Sequence, residues 1–129
     1  MDILTETDPI PTVARAEIGT RLRQVEEQQG VRILFAVESG SRAWGFASPD
    51  SDYDVRFVYA RPRDWYLQLT PGRDVIELPT DALWDINGWD LRKALQLMLR
   101  ANPTLLEWLA SPIRYRWEDL ACAPLKVLA

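Results

Sequence analysis

Asp52 and Asp54 flank Tyr53, shortly after the pair Gly40-Ser41, and these residues are the part of the chain best equipped for chemistry. An apolar run, Val31 to Val37, ends just before the Gly-Ser pair, and an alternating run, Tyr53 to Ala60, begins at the aspartates. The pattern predicts two strands joined by a loop that carries Gly40 and Ser41. Strand side chains alternate, so Asp52 and Asp54 fall on one side of the second strand, roughly 6.5 Å apart along it. Two carboxylates so placed can converge on a divalent cation. A glycine lets the backbone approach a phosphate with no Cβ in the way, and the neighbouring serine adds a hydroxyl and an amide donor. Together these parts describe a site for a metal-bound triphosphate.

The elements that must position this motif are legible on either side of it. Ala14, Ile18, Leu22 and Val25 recur at helical spacing between Thr12 and Gln29, and Gly30 supplies a stop, which predicts an amphipathic helix laid on the sheet. Met1 to Pro11 holds two prolines and no clear period and is expected to be a loose arm. Pro62 to Leu69 predicts a short helix or turn closed by Thr70-Pro71-Gly72. Asp74 to Leu78 and Ala82 to Ile86 predict two more short strands around Pro79-Thr80-Asp81. From Trp89, the residues Leu91, Leu95, Met98 and Leu99 form a helical stripe that ends at Asn102. Asn102 suits the cap, and Pro103 the first turn, of a following helix that runs towards Ser111-Pro112. A last helical segment is expected near Trp117. The fold class predicted is α/β in the α+β sense, a short mixed β-sheet backed by helices, with residues 12–129 as one domain.

Composition narrows the chemistry. A chain of 129 residues suits one domain, since it can hide about two-thirds of its unfolded surface. The net charge of −4 supplies no global basic field, so any polynucleotide contact has to be local. Histidine is absent, which excludes His-based triads, His-ligated zinc and His pH switches. Carboxylates must do the work. The lone Cys122 cannot form an internal disulfide, and no apolar leader or long apolar span is visible, so a reducing cytoplasm and no membrane are expected.

Plainer readings compete. Ser-Pro-Asp-Ser-Asp is a good loop former, so Asp50, Asp52 and Asp54 could be turn residues. A calcium loop is ruled out, because Val55 and Arg61 stand where that pattern needs glycine and glutamate. The stretch from Gly40 to Gly45 is not a P-loop, since no Gly-Lys-Ser/Thr follows, nor a dinucleotide fingerprint, since the third glycine is missing. Trp44, Trp65, Trp84, Trp89, Trp108 and Trp117 are expected in packing rather than base stacking. Trp44 is the one placed to approach a nucleobase, being beside the Gly-Ser loop. Glu107 reads as a solvated helix residue.

Three longer strings extend the motif: Gly40-Ser41-Arg42-Ala43-Trp44-Gly45-Phe46-Ala47-Ser48-Pro49-Asp50-Ser51-Asp52-Tyr53-Asp54-Val55-Arg56, then Asn87 to Leu95, then Asn102 to Pro112. They resemble the DNA polymerase β-like nucleotidyltransferase superfamily and, within it, the bacterial predicted nucleotidyltransferases associated with RNA repair. The likeness spans roughly Val31 to Tyr115 and implies the nucleotidyltransferase fold. It also implies Mg²⁺-dependent transfer of a nucleoside monophosphate from an NTP to a hydroxyl, with two Mg²⁺ ions or Mn²⁺ in their place and an RNA end as acceptor. Asp52 and Asp54 would be metal ligands, and Gly40 and Ser41 would hold the β- and γ-phosphates. A third carboxylate is implied on the strand before Asn87, which points to Asp85, with Glu77 and Asp90 as rivals. A mid-strand aspartate among Leu83, Trp84 and Ile86 is out of place unless a cation neutralises it. Arg42, Arg56 and Lys93 are further candidates for phosphate contacts.

Proteins of that family are usually about twice as long, with a helical region after the catalytic half, so the chain is expected to be a catalytic-half fragment or a short version. Two rival functions stand beside RNA-end transfer. One is modification of a protein hydroxyl, as in antitoxin-like nucleotidyltransferases. The other is a silent nucleotide-binding or interaction module.

Overall fold

A computed structural model of the chain describes residues 8–45, 47, 51–81 and 83–128, with side chains as far as Leu125. The expected arm therefore lies mostly outside the described residues, as do Phe46, Ser48, Pro49, Asp50 and the Ala82 start of one predicted strand. Ile10, at the near end of that arm, is buried in the core.

A five-stranded mixed sheet runs through the middle of the domain. Strand β1 (Arg32–Glu38) pairs antiparallel with β2 (Tyr53–Ala60), and β2 pairs parallel with β4 (Trp84–Asp90). Strands β3 (Val75–Glu77) and β5 (Arg114–Trp117) form the edges, giving the order β3-β4-β2-β1-β5. Helix α1 (Thr12–Gln29) covers one face, burying the four residues its period singled out: Ala14, Ile18, Leu22 and Val25. They pack with Ile33, Val55, Phe57, Tyr59 and Ile86. Gly30 ends the helix in the left-handed region at φ 63°, where a residue without Cβ is least strained.

The other face is covered by α3 (Leu91–Leu99), α4 (Thr104–Leu109) and α5 (Asp119–Leu128). Ala94, Leu105, Trp108, Cys122 and Leu125 meet Phe35, Val37 and Val58 there. With helices on both faces the central strands bury both their sides, which is why β1 reads as a nearly continuous apolar run. A register shift between Ile33 and Phe35 lets consecutive Leu34 and Phe35 serve the same layer. Between β2 and β3 the chain makes a short helix, α2 (Arg63–Tyr66), within the stretch predicted for it.

Several boundaries differ from the sequence reading. Strand β1 starts one residue later than predicted and runs through Glu38. Strand β4 continues to Asp90, where a helix had been read from Trp89, because Gly88 and Trp89 pair with β2 on one side and with Ile76 and Val75 on the other. Pairing on both sides outweighs the helical stripe, and α3 begins only where the Asp90 side chain accepts the Arg92 amide at 2.7 Å. Strand β5 is additional: Arg-Tyr-Arg-Trp is too short and too charged to stand out, and it gains its strand from the free edge of β1. The expected last helix follows it at Asp119. Asn102 caps α4 as predicted, its Oδ1 accepting the Thr104 amide at 2.9 Å. Gly88 sits under its β2 neighbour Phe57, and a Cβ there would lie 2.2 Å from the ring, so no other residue fits without repacking. Among the described residues, no helix is long and apolar enough to cross a membrane.

Tyr59 is fully buried, and burial pushes its hydroxyl up to about 12 from 10.0. The neutral phenol is the form the fold accepts, so its contribution to stability is complete below pH 10 and fades as pH rises from 10 towards 12. Denaturant midpoints measured across that window are expected to fall less steeply for Tyr59→Phe than for the parent chain.

Candidate active site

The parallel register between β2 and β4 sets Asp54 directly beside Asp85, with Arg56 beside Asn87 one repeat further on. Side chains two apart share a face of a strand. All four therefore project to the α3/α4 side, while Tyr53, Val55 and Phe57 go to the α1 core. Arg56 lies across Asp85: its Nη2 donates to Oδ2 at 3.0 Å and its Nη1 to the Asp85 carbonyl at 2.9 Å. Asn87 Nδ2 donates to the other oxygen, Oδ1, at 2.9 Å. Asp85 is thus neutralised as the sequence demanded, and the cation that does it is Arg56. Asp54 is half-buried, and desolvation raises its carboxyl above the usual range. The Arg56 guanidinium pulls it back down, while the Asp85 and Asp52 charges push it up again.

Gly40 lies against this pair. A Cβ built on it would come within 2.0 Å of Asp54 Oδ2, so the backbone of the Gly-Ser turn rests directly on the carboxylate. Ser41 opens a short 3₁₀ turn, Ser41–Trp44, which leads away from the end of β1. The close approach is held by Glu38, which the sequence reading passed over. Glu38 Oε2 accepts the amides of Asp54 at 2.9 Å and Gly40 at 3.3 Å, and Oε1 accepts the Tyr115 hydroxyl from β5 at 2.7 Å. Ser39 adds a backbone bond to the Asp54 carbonyl at 2.8 Å. Glu38 is fully buried, and burial raises its carboxyl, opposed by the Tyr115 hydroxyl and the two amides. Its one sequence signal is a charged residue at the end of an otherwise apolar strand, just ahead of a Gly-Ser pair.

The other predicted residues are spread more widely. Asp52 precedes β2 and is exposed, and among the described residues no group of three or more acidic, Cys or His side chains forms a ready metal cage. Arg42 lies over the Tyr53 ring at 4.1 Å and donates to the Ser51 carbonyl at 2.6 Å, so it braces the loop leading back into β2. Lys93 pairs with Asp74 at 3.9 Å beyond the far end of β4, about 16 Å along the strand direction from Asp85 at roughly 3.3 Å per residue. Of the rivals to Asp85, Asp90 is a buried helix cap that also accepts the Tyr66 hydroxyl at 2.8 Å. Glu77 sits on edge strand β3 opposite Asn87, exposed and paired with Arg73 at 3.6 Å.

Two clefts flank the pair. One, of about 350 Å³, includes Arg56, Glu77, Asn87, Trp89 and Trp108 in its walls. The other, of about 530 Å³, is lined by Ser39, Trp44, Glu107 and Trp108. Trp108 borders both. Trp84 stacks on Tyr53, Trp89 packs tilted against Trp108 and Trp117 tilted against Phe35, whereas Trp44 is half-exposed.

Carboxylate oxygens set side by side and abutted by a backbone with no Cβ are the donor type that hard divalent cations such as Mg²⁺ or Mn²⁺ take. A mixed sheet with helices on both faces and a Gly-Ser turn resting on paired strand carboxylates is that of a nucleotidyltransferase-like domain. The chain belongs to the RNA repair pathway DNA polymerase beta family (RlaP), which it matches over residues 14–129. It is also 57% identical over 101 residues to the uncharacterized protein YcgL of Bacillus subtilis (strain 168), covering 78% of this chain and 39% of that protein. The chain thus spans about two-fifths of the length of this curated relative. No solved structure matches it.

Glu38→Ala would leave the buried Asp54 amide and Tyr115 hydroxyl without partners, at about 1–3 kcal/mol for each group left unpaired. Urea unfolding is expected to show a loss on the order of 3 kcal/mol, and a midpoint equal to that of the parent chain would contradict the role given to Glu38.

Proposed function

We propose that the chain is the catalytic part of a Mg²⁺-dependent nucleotidyltransferase that moves a nucleoside monophosphate from an NTP to a hydroxyl, the end of an RNA being the favoured acceptor. The observation that carries this reading is the apposition of Asp54 and Asp85 on parallel strands with Gly40 pressed against Asp54. Asp52, Asp54 and Asp85 would hold two divalent ions. When bound, these ions supply positive charge to the triphosphate and lower the cost of the attacking and departing oxygens. The backbone of Gly40 and the hydroxyl and amide of Ser41 hold the β- and γ-phosphates.

Arg56 has two stations in this scheme. Without substrate it neutralises Asp85, and on substrate binding it turns to the phosphates, freeing Asp85 for metal. Arg42 serves by bracing the loop rather than by direct contact, and Lys93 lies too far along the sheet for the reacting phosphate but could meet the body of an acceptor. In the reaction a bond forms between the acceptor oxygen and the α-phosphorus, the bond to the β-phosphate bridge breaks, pyrophosphate departs and the hydroxyl proton leaves to water. The family description favours RNA as acceptor, and a protein hydroxyl is the alternative.

Asp54→Asn is expected to abolish pyrophosphate release from NTPs while circular dichroism stays that of the parent, and full turnover in that variant would refute the assignment. Gly40→Ala displaces the Asp54 carboxylate by its own Cβ, and about a 10²-fold fall in turnover is expected in the same assay. With radiolabelled NTP, label should travel with RNA on a denaturing gel; label on protein would favour the alternative acceptor.

A further inference from the structure

We propose that the cleft between Trp44 and Trp108 is the base subsite of the nucleotide and that Glu107 makes it select guanine; the inference rests on the nucleotidyltransferase reading above. Ser39, which lines the cleft, is bonded in sequence to Gly40, so the cleft opens directly onto the turn assigned to the phosphates. At about 530 Å³ it has the size of a small-ligand site. Its two aromatic walls differ in kind. Trp108 is 6% exposed and fixed against Trp89 with ring centroids 4.4 Å apart, whereas Trp44 is 50% exposed at the end of the 3₁₀ turn. With both rings in its lining the cleft offers aromatic surface beside polar groups, and stacking on such rings favours any base.

Discrimination has to come from polar lining, which among the described residues is Ser39 and Glu107. Glu107 is exposed, and among the described residues its carboxylate has no ion pair or side-chain hydrogen bond, so it brings to the cleft an acceptor that no protein donor occupies. An ionised carboxylate accepts only, and it accepts best from two adjacent donors. Guanine alone among the four bases presents such a pair, N1–H beside the N2 amino group. Adenine and cytosine set a ring-nitrogen acceptor next to their amino donor, and uracil sets its single N–H between two carbonyls. Each of these brings a lone pair against Glu107. The Ser39 hydroxyl donates to the Asp54 carbonyl at 3.3 Å, so toward the cleft it too can only accept.

The test is titration calorimetry of the whole chain in Mg²⁺ with the non-cleavable α,β-methylene analogues of GTP, ATP, CTP and UTP. The GTP analogue is expected to bind about tenfold more tightly than the other three, the discrimination typical of one good bidentate contact. Glu107→Gln should remove that advantage by weakening the GTP analogue alone, and Trp44→Ala should weaken all four together. Four equal affinities, or a guanine preference untouched by Glu107→Gln, would overturn the base assignment and leave the nucleotidyltransferase reading standing. Failure of every analogue to bind would overturn both.

Discussion

A buried carboxylate at the end of β1 is the constraint on which the rest of the site depends. Glu38 accepts the amides of Gly40 and Asp54 and the hydroxyl of Tyr115, so a single side chain ties the Gly-Ser turn, the start of β2 and the edge strand β5 together. Desolvating a carboxyl is costly, and the cost is offset only while all three donors stay in place. That requirement makes the geometry stiff: the turn cannot lift from Asp54 without stranding Glu38. Strand β5, the weakest element in the sequence, is held to the sheet partly by this bond, and Ser111 adds another from its hydroxyl to the Glu38 carbonyl at 2.6 Å.

Around this anchor the charges are arranged as a question of which cation is present. Asp54 and Asp85 lie side by side because β2 and β4 run parallel in that register, an arrangement that without positive charge is repulsive. Arg56 supplies the charge from the same face, with Asn87 completing the coordination of Asp85. The two halves of the pair are unequal. Asp85 has both oxygens engaged, while Asp54 is left next to a bare backbone. In the proposed reaction that inequality sets an order: Asp54 receives the incoming charge first, and Asp85 joins once Arg56 has phosphate to bind instead.

Much of this was legible in the sequence, for identifiable reasons. Helix α1 and strand β2 follow their periods almost residue for residue, because each has one purely apolar stripe and a clean stop. Asp85 stands out because a charged residue in an apolar strand needs a neutraliser, and Arg56 supplies one. That Arg56 lies across Asp85 was not legible, since alternation gives the face of a side chain but not its partner across the sheet. Glu38 and β5 were missed together. Each makes sense only through the other, at a sequence separation that no local period spans. The extension of β4 through Gly88 and Trp89 was hidden likewise, because it depends on pairing with β3 and on the room Gly88 leaves for Phe57.

The most direct test is a crystal structure of the chain with Mn²⁺ and a non-cleavable NTP analogue, with the metal located by its anomalous signal. The account predicts Mn²⁺ between Asp52, Asp54 and Asp85, the triphosphate on Gly40 and Ser41, and Arg56 turned from Asp85 to phosphate. A triphosphate bound elsewhere, or metal absent from these aspartates while Arg56 keeps its grip on Asp85, would contradict it.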